Sequence, residues 1–155
     1  MTLARAQHQG VDVWIIQLPG HAPYTYTHLK RVFASDDSRH RVVIVDVTRL
    51  LACADRDTTD YVLPSVQYWA RGKAVGIRGF LDPEQARIPD MPFITFREAR
   101  TRMLLGIPGL AKVGVASFRN GQHRARYLAY AGATTLPVEI HETEADLLAR
   151  YCGVK

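Results

Sequence analysis

Residues 117 to 127 read Ser117-Phe118-Arg119-Asn120-Gly121-Gln122-His123-Arg124-Ala125-Arg126-Tyr127. Val113 to Phe118 reads as a strand and Gln122 to Ala131 as a helix, so Asn120-Gly121 falls at a tight strand-to-helix turn, with Gly132 at the helix C-cap. Glycine at such a turn lets backbone N–H groups approach an anion with no side chain in the way. Arg119, His123, Arg124 and Arg126 crowd the positive end of the helix dipole, where each cation is disfavoured by roughly 0.3–1 kcal/mol. A bound phosphate reverses the sign of that term. The expectation is a phosphate site over Asn120, Gly121, Gln122, His123 and Arg124; the ordinary alternative is a set of solvated cations. Lys73, between Gly72 and Gly76-Ile77-Arg78-Gly79, can fold over a nucleotide held there or simply face solvent.

Charge points the same way. The 155 residues carry 20 Lys+Arg against 15 Asp+Glu, a net +5. From Arg97 to Arg126 seven cations (Arg97, Arg100, Arg102, Lys112, Arg119, Arg124, Arg126) meet one acid, Glu98, so this segment alone holds the excess. Such concentration is the electrostatic footprint expected for a polyanion, and Arg97, Arg100, Arg102, Arg119 and Arg126 are the candidate DNA contacts. A solvated basic face is the plainer reading. The hydrophobic share of 47% supplies a sizeable core, which excludes disordered and collagen-like classes. Val11 to Leu18, interrupted by Asp12 and Gln17, is far too short to span a membrane, so no signal peptide, anchor or membrane insertion is expected. Cys53 and Cys152 show neither CxxC nor metal spacing and read as reduced, structural thiols.

Around the turn, hydropathy and breakers lay out one domain over 1–155. Val13 to Leu18 and Val42 to Val47 read as strands, Tyr24 to Ala34 as a short helix, and Thr48 to Ala54 as a turn or short helix. A helix from Asp60 to Trp69 is disturbed by Pro64. Gly72, Gly76 and Gly79 are expected to break the chain beyond it, and Asp82 to Pro92 is a shaped loop. Pro92 to Phe96 is a strand candidate and Arg97 to Leu105 a helix ended by Gly106 and Pro108. Pro137 to His141 is a strand with Val138 and Ile140 facing in and Glu139 and His141 facing out, and Glu144 to Tyr151 is a last helix. If parallel, the strands flanking the helix make a right-handed βαβ unit. An outward Glu139/His141 pair is what surface alternation produces; the same pair can act as a base or hold a divalent ion. No metal-ligand set is assigned. P-loop, GxGxxG, HExxH and serine-elbow motifs are absent.

The stretch Val115 to Gly153, with Phe118, Gly121-Gln122-His123-Arg124, Leu136-Pro137-Val138 and Ala145-Asp146-Leu147-Leu148, resembles the core of the ParB/sulfiredoxin superfamily. With Val43 to Leu51 and Met91 to Arg100 added, the chain is similar to the plasmid fertility inhibition factors. The resemblance implies an α+β fold: a single compact ParB/sulfiredoxin-like domain with a small mixed sheet and flanking helices. It also implies ATP and Mg²⁺ as cofactors, ATP binding or hydrolysis, DNA cleavage, and suppression of conjugative or T-DNA transfer through a type IV secretion system in the bacterial cytoplasm. DNA and a component of the secretion machinery are the implied partners. Gln122 stands where sulfiredoxins carry their catalytic cysteine, so sulfinic-acid reduction is not expected. The chain also has no room for the helix-turn-helix and dimerisation parts of ParB partition proteins.

These residues are compatible with two main functional classes. As an ATP-dependent DNase or ATPase, the chain would hold phosphate with Gly121, His123 and Arg124, and Glu98 or Glu139 would complete a catalytic set with His123 and Arg124. As a non-catalytic inhibitor, it would bind DNA or a component of the secretion machinery and keep the same turn as a structural relic. A small-molecule phosphotransferase on the same scaffold is a third reading.

Overall fold

The computed structural model describes residues 3–33, 39–57, 64–69, 71–100 and 111–154. Near its start, Gln9 and Gly10 both adopt positive φ, 54° and 77°, the backbone that a two-residue hairpin turn requires to match strand twist. That turn joins β1 (Arg5–His8) to β2 (Val11–Gln17), and β3 (Tyr26–Leu29) pairs with β2 to complete an antiparallel sheet ordered β1-β2-β3. A second sheet holds β4 (His40–Asp46), β5 (Phe93–Arg100), β6 (Lys112–Asn120) and β7 (Thr135–His141) in the order β4-β7-β5-β6. Helices α1 (Val47–Asp55), α2 (Arg71–Phe80), α3 (Gln122–Tyr130) and α4 (Glu142–Cys152) complete the fold with a 3₁₀ turn at Val66–Tyr68. The architecture is α+β, with one mixed sheet.

Two antiparallel pairs build that mixed sheet, β4 with β7 and β5 with β6, and a single parallel contact between Phe93 and Glu139 joins them. Three residues along β5, the Phe96 N–H donates instead to the Glu144 carboxylate of α4 at 2.7 Å. Two helix starts, those of α1 and α4, are capped by side chains. Asp46 accepts from the Arg49 N–H at 2.9 Å, and His141 Nδ1 accepts from the Thr143 N–H at 3.2 Å with Glu142 and Glu144 in the first turn of α4. One buried cluster joins Trp14, Ile16, Leu18 and Leu29 of the first sheet to Ile94, Phe118, Leu136 and Ile140 of the second and to Leu50, Leu128 and Leu148 of the helices. Each large aliphatic side chain in it contributes about 1.5–3 kcal/mol by burial.

Several expectations are overturned by tertiary pairing. Tyr24 to Ala34 is not a helix over its described part; Tyr26–Leu29 is strand β3, because β2 offers a pairing edge and Tyr and Thr suit a pleated surface. Arg97 to Arg100 continues β5 rather than starting a helix, each residue opposite one of β6 from Val115 to Lys112; the remainder of that expected helix, 101–105, lies outside the described residues. Gly72, Gly76 and Gly79 do not break the chain but sit within α2, where an added Cβ would meet open space. Each glycine costs the helix roughly 1 kcal/mol, which the burial of Ile77 offsets only in part. Of the helix expected from Asp60 to Trp69, residues 60–63 lie outside the described set, and the 3₁₀ turn is what the rest forms. The strands flanking α3 do not form a parallel βαβ unit, since β5 runs antiparallel to β6 and parallel to β7, so β6 and β7 point in opposite directions.

Glu139 is the sharpest correction. Alternation placed it outward, but β7 is covered on both faces and Glu139 is 0% exposed. Its carboxylate accepts from the Val32 and Phe33 N–H groups and from Arg31 Nε at 3.3 Å, while Arg31 Nη2 donates to the His40 carbonyl at 2.8 Å. The carboxylate thereby anchors the segment between β3 and β4 to the middle of the mixed sheet. Glu139→Ala strands these donors, and we expect a loss of about 2–4 kcal/mol in denaturant unfolding. A wild-type unfolding midpoint would show that the anchor contributes nothing.

Candidate functional site

The Asn120-Gly121 turn is built by close packing. Gly121 takes φ 86°, and a Cβ there would lie 2.9 Å from the Pro92 Cα. Only glycine satisfies both the left-handed backbone and the contact. Asn120 ends β6 opposite Phe93, and the first bond of α3 runs from the Ala125 N–H to the Gly121 carbonyl at 2.9 Å. The amides ahead of it lie at the positive end of the helix dipole. No side chain caps this helix start and its first turn holds no acid.

Helix α2 closes over the turn. Lys73, Ile77 and Phe80 face residues 120–124 across a cleft of about 240 Å³. The structure thus brings together all the residues named from sequence as phosphate candidates: Lys73, Asn120, Gly121, Gln122, His123 and Arg124. Arg124 is braced before any ligand arrives. Its Nη1 donates to the Asp90 carbonyl, and its guanidinium lies 6.0 Å from the Phe80 ring centre. Burial pushes the Arg124 pKa down, Asp90 pulls it back up and Arg87 adds repulsion; the guanidinium stays charged and keeps donors in reserve. The Asp90 carboxylate itself is taken by Lys30 Nζ at 2.7 Å. His123 packs edge-on against Trp69, with ring centres 5.4 Å apart, and its Nε2 is buried with no hydrogen-bond partner among the described residues. Burial first, then the charges of Lys73 and Arg126, hold its imidazole below the usual histidine range.

The carboxylates named as catalytic partners are elsewhere. Glu98 accepts from the Tyr151 hydroxyl at 2.8 Å, with Arg150 at 3.7 Å and Lys112 at 4.0 Å. It sits opposite Gly114, six residues along β6 from Asn120, so about 20 Å of strand separates it from the turn. Glu139 is spent on Arg31 and the backbone of Val32 and Phe33. Among the described residues no carboxylate lines the cleft, which presents cations, a helix start and the His123 imidazole.

The arginines named as DNA contacts divide. Arg97 and Arg119 are exposed and line a second cleft of about 280 Å³ on the β5–β6 ribbon, beside the hydroxyls of Thr95 and Ser117. Ser117 donates there to the buried Asp57. Arg100 is exposed opposite Lys112 at the far end of the ribbon. Arg102 lies outside the described residues. Arg126 is committed to an ion pair with Asp55 at 2.8 Å that ties α3 to α1, its side chain only 15% exposed. The roles of Phe80, Trp69 and the Asp90 carbonyl were not read from sequence. They come from remote segments, and only the apolar Ile77-x-x-Phe80 spacing next to Lys73 hinted at them.

The matches to known proteins agree with this fold. The Plasmid Fertility inhibition factor family matches residues 42–153. The chain belongs to that family. Among solved structures, the whole chain aligns with 77% of the crystallised chain of Oncogenic Suppression Activity Protein, a plasmid fertility inhibition factor studied as a gold(I) cyanide derivative, with TM-score 0.67 and 17% identity. At that identity the likeness is one of fold. Among curated proteins, none matches the chain.

The cleft's electrostatics are open to direct measurement. The His123 ring should titrate below the ordinary histidine value, about 6.5, and Lys73→Ala should move it back upward in a proton NMR titration. Because the unfolded chain then holds the proton more tightly than the folded one, this histidine makes stability fall as pH drops through the window below about 6.5. An unshifted value that ignores Lys73 would contradict the placement of α2 over the turn.

Proposed function

We propose that the chain restrains transfer of plasmid or T-DNA through a type IV secretion system by binding phosphate groups of a nucleotide and of DNA. The observation that carries this is the α2–turn cleft, where Lys73, His123, Arg124 and a helix start meet with no opposing carboxylate among the described residues. An anion there removes two unfavourable terms together: cations at the positive dipole end and a buried imidazole nitrogen without a partner. ATP fits such a site through its phosphates. Among the described residues no cluster of three His, Cys, Asp or Glu side chains can hold a metal, so Mg²⁺ enters this proposal as part of a metal–nucleotide complex. The exposed Arg97 and Arg119, with Arg100 beyond them, supply a track for DNA phosphates that reads charge rather than bases.

Between binding and cleavage, the geometry favours binding. Glu98 is engaged about 20 Å along the ribbon and the Glu139 carboxylate is spent on Arg31 and the backbone of Val32 and Phe33, which leaves His123 the one base among the described residues lining the cleft, with no carboxylate or metal ligand beside it. The inhibitor then works by occupying DNA or a component of the transfer machinery. No described helix is long and apolar enough to cross a membrane, which suits action on the bacterial cytoplasmic side.

Two measurements test this. Arg124→Ala, folded by circular dichroism, and Lys73→Ala, which alters an exposed side chain only, should each weaken ATP or pyrophosphate binding about tenfold or more in calorimetry; wild-type affinity in both would remove the site. DNA affinity should fall steeply with salt, and Arg97→Ala with Arg119→Ala should flatten the log–log slope by about two units, while Arg126→Ala should cost stability and leave the slope alone. Phosphate release or plasmid nicking by the purified chain, lost in Arg124→Ala, would overturn the preference for binding.

A further inference from the structure

The two cysteines, at opposite ends of the matched family segment, meet in the core. Cys53 lies in the last turn of α1 and Cys152 ends α4; both are free, buried side chains, and their Sγ atoms are 3.7 Å apart. Arg56 stands over the pair, its Nη1 3.5 Å from Cys53 Sγ and 2.9 Å from the Gly114 carbonyl that holds it in place. A cation held against one of two touching sulfurs is a device for activating a thiol. A merely space-filling cysteine pair needs no such neighbour.

We propose that Cys53 and Cys152 are a redox modification site, at which a hydroperoxide converts the dithiol to an intramolecular disulfide clamping the end of α4 to α1. The Cys53 thiolate attacks one peroxide oxygen, the O–O bond breaks, and the departing hydroxide takes up a proton as water. Cys53 is then a sulfenic acid. Cys152 Sγ attacks Cys53 Sγ, the S–O bond breaks, and the hydroxyl leaves as a second water with the Cys152 proton. In sum, two thiols and one hydrogen peroxide give one disulfide and two waters. The roles are asymmetric: the hydrogen bond from Cys152 and the Arg56 charge pull Cys53 down, whereas the same pairing and burial push Cys152 up, so Cys53 attacks and Cys152 resolves. Closing to a bond of about 2.05 Å needs the sulfurs to approach by about 1.7 Å. The next residue, Gly153, bridges to Val45 of β4 and the Val154 N–H reaches the Ile44 carbonyl at 3.4 Å, so the clamp would also secure the last strand contact of the chain. None of the phosphate-site residues takes part.

The test uses the full chain and hydrogen peroxide in slight excess, quenched with iodoacetamide in denaturant and read by intact mass and peptide mapping. The expected result is a loss of about 2 Da, simultaneous protection of both cysteines in one cross-linked peptide, reversal by dithiothreitol, and a rate at least about tenfold above that of the guanidinium-unfolded chain, which must first close a long loop. Cys152→Ala should stall as a Cys53 sulfenic acid captured by dimedone. Independent oxygen addition to either cysteine, cross-linked dimers in place of the internal bond, or oxidation no faster folded than unfolded would each overturn the proposal. The wild-type comparison stands by itself if the variant does not fold.

Discussion

The contact between Gly121 and Pro92 is the constraint on which the site depends. On one side, the left-handed glycine lets β6 stop and α3 begin with its backbone pressed against the proline. On the other, the Pro92 carbonyl accepts from the Glu139 N–H at 2.9 Å, so the residue just ahead of β5 couples that strand to β7. Turn, ribbon and central strand are thereby referenced to one point. A side chain larger than hydrogen at position 121 would shift all three together, which is why the geometry of the helix start is a property of the whole sheet and not of a loop.

That helix start carries an electrostatic cost which the fold distributes. Arg126 is neutralised locally by Asp55, and Arg124 is held by a neutral carbonyl, while the nearby Asp90 charge is spent on Lys30. Burial first, then Lys73 and Arg126, pull the His123 pKa below its ordinary value. The result is a positive cleft whose acids have been assigned elsewhere. The proposal that a phosphate occupies this cleft rests on that charge pattern, and the preference for a binding role over a cleaving one rests on where Glu98 and Glu139 ended up.

The site was more legible in the sequence than the fold around it. Asn120-Gly121 followed by His123 and Arg124 announces a turn and a helix start ringed by cations, because glycine conformation and dipole electrostatics are local properties. The register of Glu139 was not legible, since alternation assumes one wet face and β7 has none. Arg97 to Arg100 misled for the opposite reason: helix-forming side chains were overruled by a partner strand arriving from residues 112 to 115. Nothing in the local sequence of α2 could outweigh three glycines, and only the packing of Ile77 and the proximity of α3 account for that helix. The thiol contact was equally hidden, being a consequence of α1 and α4 packing on each other.

The central claim is that the turn from Gly121 to Arg124 receives a phosphate, and an amide NMR titration of the isotope-labelled chain with ATP tests it most directly. The account predicts that the largest shift changes fall on the backbone amides of Gly121, His123 and Arg124, saturating together, with the His123 ring taking up a proton as the anion binds. Changes confined to the β5–β6 ribbon around Arg97 and Arg119, with the turn amides unmoved at saturation, would contradict it.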